Sequence, residues 1–205
     1  MNWIGAFIWG VLFLGFIFQN KFLSKYKQDL SRQGITGCEI ARHLLDASGL
    51  TQVVVESTQK QDLWGHWPVK ELGLEKSVYD GKTLFAVTEA ARKTVLMTQT
   101  PVSFDFSKQA WAILRFLILP ALIAFVPGLQ HPALKFFSSM ILAALLACIL
   151  LDLPRQWDAS RRVYFHLKQT GYFEIDEMVK IKKLLRTLRF EKAGQVFDFA
   201  GLFSA

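Results

Sequence analysis

Residues 83–97 read TLFAVTEAARKTVLM, and the meaning of Glu89 within them decides how the rest of the chain is understood. Taken as a helix, the stretch surrounds Glu89 with Ala86, Val87, Ala90, Thr94 and Leu96. A carboxylate set in a mostly apolar helix needs a reason, because burying an unpaired charge is expensive. In an enzyme the usual reason is a metal-activated water, with two histidines one turn apart on the same face holding the metal. Here those two positions are Thr88 and Arg92. A threonine hydroxyl is a poor zinc ligand, and a guanidinium has no lone pair to donate. The frame of a metal site is present without its metal ligands. Two readings of Glu89 stay open. In one, Arg92 three residues on pairs with it and fills part of the space a metal would take. In the other, Glu89 faces solvent beside Lys93.

The segments leading into this helix read as a small mixed region. Phe22–Arg32 continues an amino-terminal helix that Gly34 and Gly37 break. Thr36-Gly-Cys-Glu39 is a capping-box pattern opening a helix with Ile40, Ala41, Leu44 and Leu45 at helical spacing, and Gly49 stops it. Thr51–Glu56 alternates and is β-branched, the mark of a short strand, and Glu71–Leu74 reads as a second. Lys60–Lys70 is polar and Trp-containing, a loop or sheet turn, and Asp80–Gly81 is a turn into the Thr83 helix.

Three apolar blocks account for much of the 52% apolar composition and read as bilayer spans. Trp3–Phe18 carries no charge and is followed by Lys21, Lys25 and Lys27, which places residues 21–110 in the cytoplasm by the positive-inside tendency. It is read as a retained anchor rather than a signal peptide, since no cation precedes it and no small-x-small site follows. Trp111–Pro127 and Leu134–Leu151 form a helical hairpin around a Pro127–Pro132 connector, with Pro120 inside the first arm. Its outer ends fall on the same side as residues 21–110. After it, Pro154–Thr170 reads as a helix ended by Gly171. Ile175–Phe190 is the clearest amphipathic helix. Met178, Ile181, Leu184, Leu185 and Leu188 line one side of it, and Lys180, Lys182, Lys183, Arg186 and Arg189 the other. That basic face either is solvated or lies on anionic lipid.

Several function classes drop out. The net charge of +7 is explained by topology, with no aromatic-and-glycine signature of single-strand binding and no recognition-helix context, so nucleic acid is not an expected partner. Cys38 and Cys148 belong to no CxxC spacing, which removes disulfide frameworks and thiolate metal sites. There is no G-x-S-x-G, and Ser160 has no evident base; no phosphate-binding glycine loop appears either.

Three blocks together resemble the neutral zinc metallopeptidase family of bacterial membrane proteins, which are zincin-like. They are QNKFLSKYKQDLSRQGITGCEIARHLLDASGL at 19–50, SVYDG at 77–81 and LDLPRQWDASRR at 151–162. The resemblance spans roughly residues 18–190. It implies a His-Glu-x-x-His helix in the register of Thr88-Glu-Ala-Ala-Arg92, where Glu89 would be the general base on zinc-bound water. It also implies a third, carboxylate ligand at the position of Gln156, here an amide. His66, in Gly65-His66-Trp67, matches a family Asp-His-Tyr and would face the old cleft or serve as a structural hydrogen-bonding group. Asp158, Ser160 and Arg161 would keep a scaffold role against the Thr83 helix.

The resulting expectation is an α-helical membrane protein with a small α+β zincin-like domain, mostly helical with two short strands. Its parts are an anchor (1–20), a zincin-like soluble region (21–110), a transmembrane hairpin (111–151), helices completing the soluble domain (152–190) and a tail (191–205). It would sit multi-pass in a bacterial inner membrane as a pseudo-metallopeptidase without a bound metal. Glu89 would be a vestigial base, and the partners the bilayer and other membrane proteins or peptide segments. One alternative is a zinc peptidase with residual or atypical activity through Glu89, with zinc as cofactor; another is anionic-lipid binding through the 175–190 helix.

Overall fold

A computed structural model of the chain describes residues 20–58, 71–99 and 132–189, with single positions at 10, 14 and 17. The expectations for most of the Trp3–Phe18 anchor, the 60–70 loop with His66, the Trp111–Pro127 span with its connector, and the tail lie outside the described residues. Within them the protein is mostly helical with two short strands, as the sequence implies. In order these are α1 (described over 20–26), α2 (Gly37–Ala47), β1 (Val54–Thr58), β2 (Glu71–Glu75), α3 (Lys76–Tyr79), α4 (Leu84–Thr98), α5 (Pro132–Thr170) and α6 (Ile175–Leu188).

Contacts divide the chain into two compact units. One comprises Met1–Gln19, Val102–Pro154 and Glu191–Ala205; the other comprises Asn20–Pro101 and Arg155–Phe190. In the first, the described part is mainly the leading portion of α5, where Phe136, Phe137, Met140, Leu150 and Leu151 are exposed. By length and composition this is the one helix among the described residues apolar enough to cross a membrane.

The second unit is built around α4. Its Thr83 N-cap accepts a hydrogen bond from the Ala86 amide at 3.1 Å. Leu84, Val87, Ala90, Ala91 and Val95 are then buried nearly all round the helix, which packs against α2, α3 and α6. The α2 capping box forms as its spacing predicts, with Thr36 and Glu39 bonded reciprocally. The Thr36 amide, then its hydroxyl, hold the Glu39 carboxyl below its ordinary value. Gly49 at φ 74° and Gly171 at φ 68° end α2 and α5, in the left-handed region that a helix stop uses. The buried stripe of α6 contains all five apolar residues read from its periodicity.

Four expectations need correction. Phe22–Arg32 is not one helix: helical turns end at residue 26 and the chain straightens. The Ser31 amide donates to the Lys82 carbonyl and the Leu84 amide to the Asp29 carbonyl, both at 2.8 Å, so residues 29–31 strap the start of α4. Gly37 is not a breaker but the first residue of α2. A Cβ there would overlap the Val78 carbonyl oxygen and press on Ala90. Gly37→Ala is therefore expected to lower stability by about 1–3 kcal/mol in unfolding measurements, since backbone must shift to admit it.

The first strand starts at Val54 rather than Thr51 because Leu50–Val53 is a turn. Arg42 closes that turn by donating to the Val53 and Leu50 carbonyls. The two strands pair in parallel, Val54 opposite Glu71 through Thr58 opposite Glu75, which places Leu72 and Leu74 in the core. Finally, Leu134–Leu151 and Pro154–Thr170 are one helix, α5, running through Pro154. A proline inside a helix costs about 3 kcal/mol or more. Burial of Ala159, Val163 and Leu167 just beyond it offsets that cost and keeps the helical path.

Candidate functional site

Helical spacing puts Thr88 and Arg92 one turn apart on α4, with Glu89 beside them, and α4's packing buries all three. Glu89 is 4% exposed and Arg92 2%. This removes the reading in which Glu89 faces solvent. The Arg92 guanidinium donates through Nε to Glu89 Oε2 at 3.0 Å and through Nη2 to Oε1 at 2.9 Å, a two-point fork. Its Nη1 donates to Gln156 Oε1 at 2.8 Å, so a residue 64 positions away on α5 joins the cluster. Thr88 turns its hydroxyl back to the Leu84 carbonyl at 2.6 Å. The Lys93 ammonium is 3.9 Å from Glu89 Oε1 and adds a second, more distant cation.

Burial by itself raises the Glu89 carboxyl's pKa. The Arg92 charge, then Lys93, then the Arg92 hydrogen bonds outweigh it and hold the group below its ordinary value. Glu89 is thus an anion at neutral pH. The stability this pairing contributes is fully present above the unfolded value near 4.5 and is lost as pH falls through the lower folded value. Urea-unfolding midpoints should accordingly fall more steeply below about pH 4.5 in the native chain than in a Glu89→Leu/Arg92→Met variant. Equal acid sensitivity would place the titrating groups elsewhere.

Other sequence-predicted residues have separate positions. Asp158 accepts from Gln99 Nε2 at 2.9 Å and from Arg162 Nε at 2.7 Å, so it meets the end of α4 rather than Glu89. Ser160 is buried and donates to the Gln156 carbonyl at 2.7 Å, one turn back on α5. Arg161 is exposed on α5. His66 lies outside the described residues. His43 stacks edge-on to Tyr172 with centroids 5.7 Å apart, and His166 borders Phe165. Sequence reasoning missed Arg155, which donates to the Leu96 carbonyl at 2.7 Å and to Gln99 Oε1 at 3.2 Å. A cation directly after Pro154 was the available signal.

The model of a family described as "putative neutral zinc metallopeptidase" matches residues 3–189. The chain belongs to this neutral zinc metallopeptidase family. Comparison with curated proteins and with solved structures returned no match.

Membership raises the question of whether the cluster fits zinc, and its donor set does not. Arg92 supplies no lone pair, both Glu89 oxygens accept from the guanidinium, and the Gln156 oxygen accepts from it too. A dication about 4 Å from a guanidinium meets roughly 8 kcal/mol of repulsion at an effective dielectric of about 20. Thr88 offers only a neutral hydroxyl, already turned to a carbonyl. Among the described residues, no three His, Cys, Asp or Glu side chains group as a metal site. A carboxylate held low by a forked guanidinium is also a weak proton acceptor, because general-base work near neutrality favours a pKa near the working pH. What this arrangement does chemically is lock α4 to α5.

Proposed function

We propose that this member of the neutral zinc metallopeptidase family is a membrane-embedded pseudo-metallopeptidase that binds or regulates without hydrolysing. The observation carrying this reading is the Arg92 guanidinium, bonded at once to Glu89 and Gln156 at the positions where the family resemblance implies a base and a ligand. A fixed internal cation stands in place of a metal ion and keeps the zincin-like scaffold closed. Thr88, Arg92 and Gln156 are on this reading degenerate ligand positions, and Glu89 a vestigial base. The apolar leading portion of α5 supports a bilayer location. The proposed arrangement is an anchor at 1–20, a hairpin at 111–151, and a cytoplasmic domain from 21–110 and 152–190 on a bacterial inner membrane. Its partners would be other membrane proteins or peptide segments.

Family membership favours the second reading, a zinc peptidase with residual activity through Glu89. A proteolysis assay on the full chain in bilayers, with and without added zinc, separates the two. The pseudoenzyme predicts no hydrolysis that depends on Glu89. Peptide cleavage abolished by Glu89→Ala would establish the enzyme instead. A Thr88→His/Arg92→His/Gln156→Glu variant should gain stoichiometric zinc, since it restores two imidazoles and a carboxylate.

A further inference from the structure

The outer side of the α5/α6 pair has a composition that neither the core nor the Glu89 cluster accounts for. The two helices run antiparallel there, because Lys182 lies over the Tyr164 ring at 5.7 Å and Arg189 over the Trp157 ring at 5.5 Å. Helical spacing puts Trp157, Arg161, Tyr164 and Lys168 in one row on α5. It puts Ile175, Val179, Lys182, Arg186 and Arg189 in the facing row on α6. Trp157 and Val179 are about half exposed, and Ile175 is 87% exposed. From Trp157 to Phe173 there are three Lys or Arg and one acid, Asp158, which Arg162 pairs, and from Met178 to Arg189 there are five Lys or Arg and no acid.

We propose that this seam binds the anionic headgroups of the bilayer. Exposed cations alone would suit any polyanion. Interleaving them with an exposed tryptophan and aliphatic side chains gives the mixed face of an interfacial helix, whose apolar groups enter the headgroup boundary while its cations meet phosphates. The seam also begins only six residues after Leu151, the last residue of the apolar run. Paired rings hold two of the cations in place before lipid arrives. The acidic α6 start is turned to other work: Glu174 and Asp176 pair with Arg32, and Glu177 accepts the Arg32 amide. Lys180, on the opposite side of α6, is engaged by Asp29 at 3.1 Å. This inference rests on the membrane location proposed above and not on the state of the zinc site.

The test uses the full chain in nanodiscs of phosphatidylcholine alone or of phosphatidylcholine mixed with phosphatidylglycerol. A water-soluble amine-acylating reagent is followed at each lysine by mass spectrometry. Labelling of Lys168 and Lys182 should slow roughly fivefold in the anionic discs, recover with salt, and leave Lys180 unchanged. Lys182→Glu/Arg186→Glu, substitutions at exposed positions, should abolish the protection of Lys168. Equal labelling in both discs overturns the proposal. Protection by added polyuridylate but not by phosphatidylglycerol also overturns it, and makes the seam a nucleic-acid face. Co-flotation with vesicles at high salt reports membrane insertion separately, so loss of the bilayer location and loss of headgroup binding are distinguishable.

Discussion

Replacing Arg92 with alanine will destabilise the protein by about 3–5 kcal/mol, the loss expected when one member of a buried ion pair is removed. Glu89 would be left buried and uncompensated at 4% exposure, with Lys93 at 3.9 Å too distant to take over the forked contact. The same reasoning sets the behaviour of the double substitution. Desolvating two charges nearly cancels their attraction, so Glu89→Leu/Arg92→Met should recover most of what either single change loses. The Arg92–Gln156 hydrogen bond is still lost, which leaves a deficit of about 1.5–3 kcal/mol, the usual worth of a hydrogen bond to a charged group. Unfolding measurements on the four chains give the coupling directly. A single-variant loss below about 1 kcal/mol would mean the pair behaves like an exposed one.

Leu184→Ala should cost about 2–5 kcal/mol, through lost burial and the cavity left behind. Leu184 is fully buried on α6, which packs against α4. The segment after the apolar portion of α5 is thereby part of the same core as residues 20–101, although some 80 residues separate α4 from α6. The change should lower the unfolding midpoint of that whole unit in a single transition. A separate early transition, leaving the rest unaffected, would show α6 to be an appendage.

The features legible in the sequence are those set by neighbours a few residues apart. The Thr36–Glu39 box, the stops at Gly49 and Gly171, and the α6 stripe each depend on one turn of helix and appear where the spacing puts them. The Glu89–Arg92 pair was visible as one of two options because three residues separate them; burial from α2, α3 and α6 selected between the options. Gln156 was different. Nothing local ties it to Arg92, and only family resemblance pointed to its position. The strap at 29–31 was illegible because its hydrogen bonds go to Lys82 and Leu84, half a domain away in sequence. Pro154 misled because local propensity argues for a break, while packing of Ala159, Val163 and Leu167 overrides it.

The zinc content of the full chain, purified without chelator, incubated with equimolar zinc and desalted, tests the substitution of guanidinium for metal most directly. The native protein should hold only a background level of zinc, unchanged by Glu89→Ala. Stoichiometric zinc that survives desalting and disappears on Glu89→Ala would contradict the replacement of metal by guanidinium.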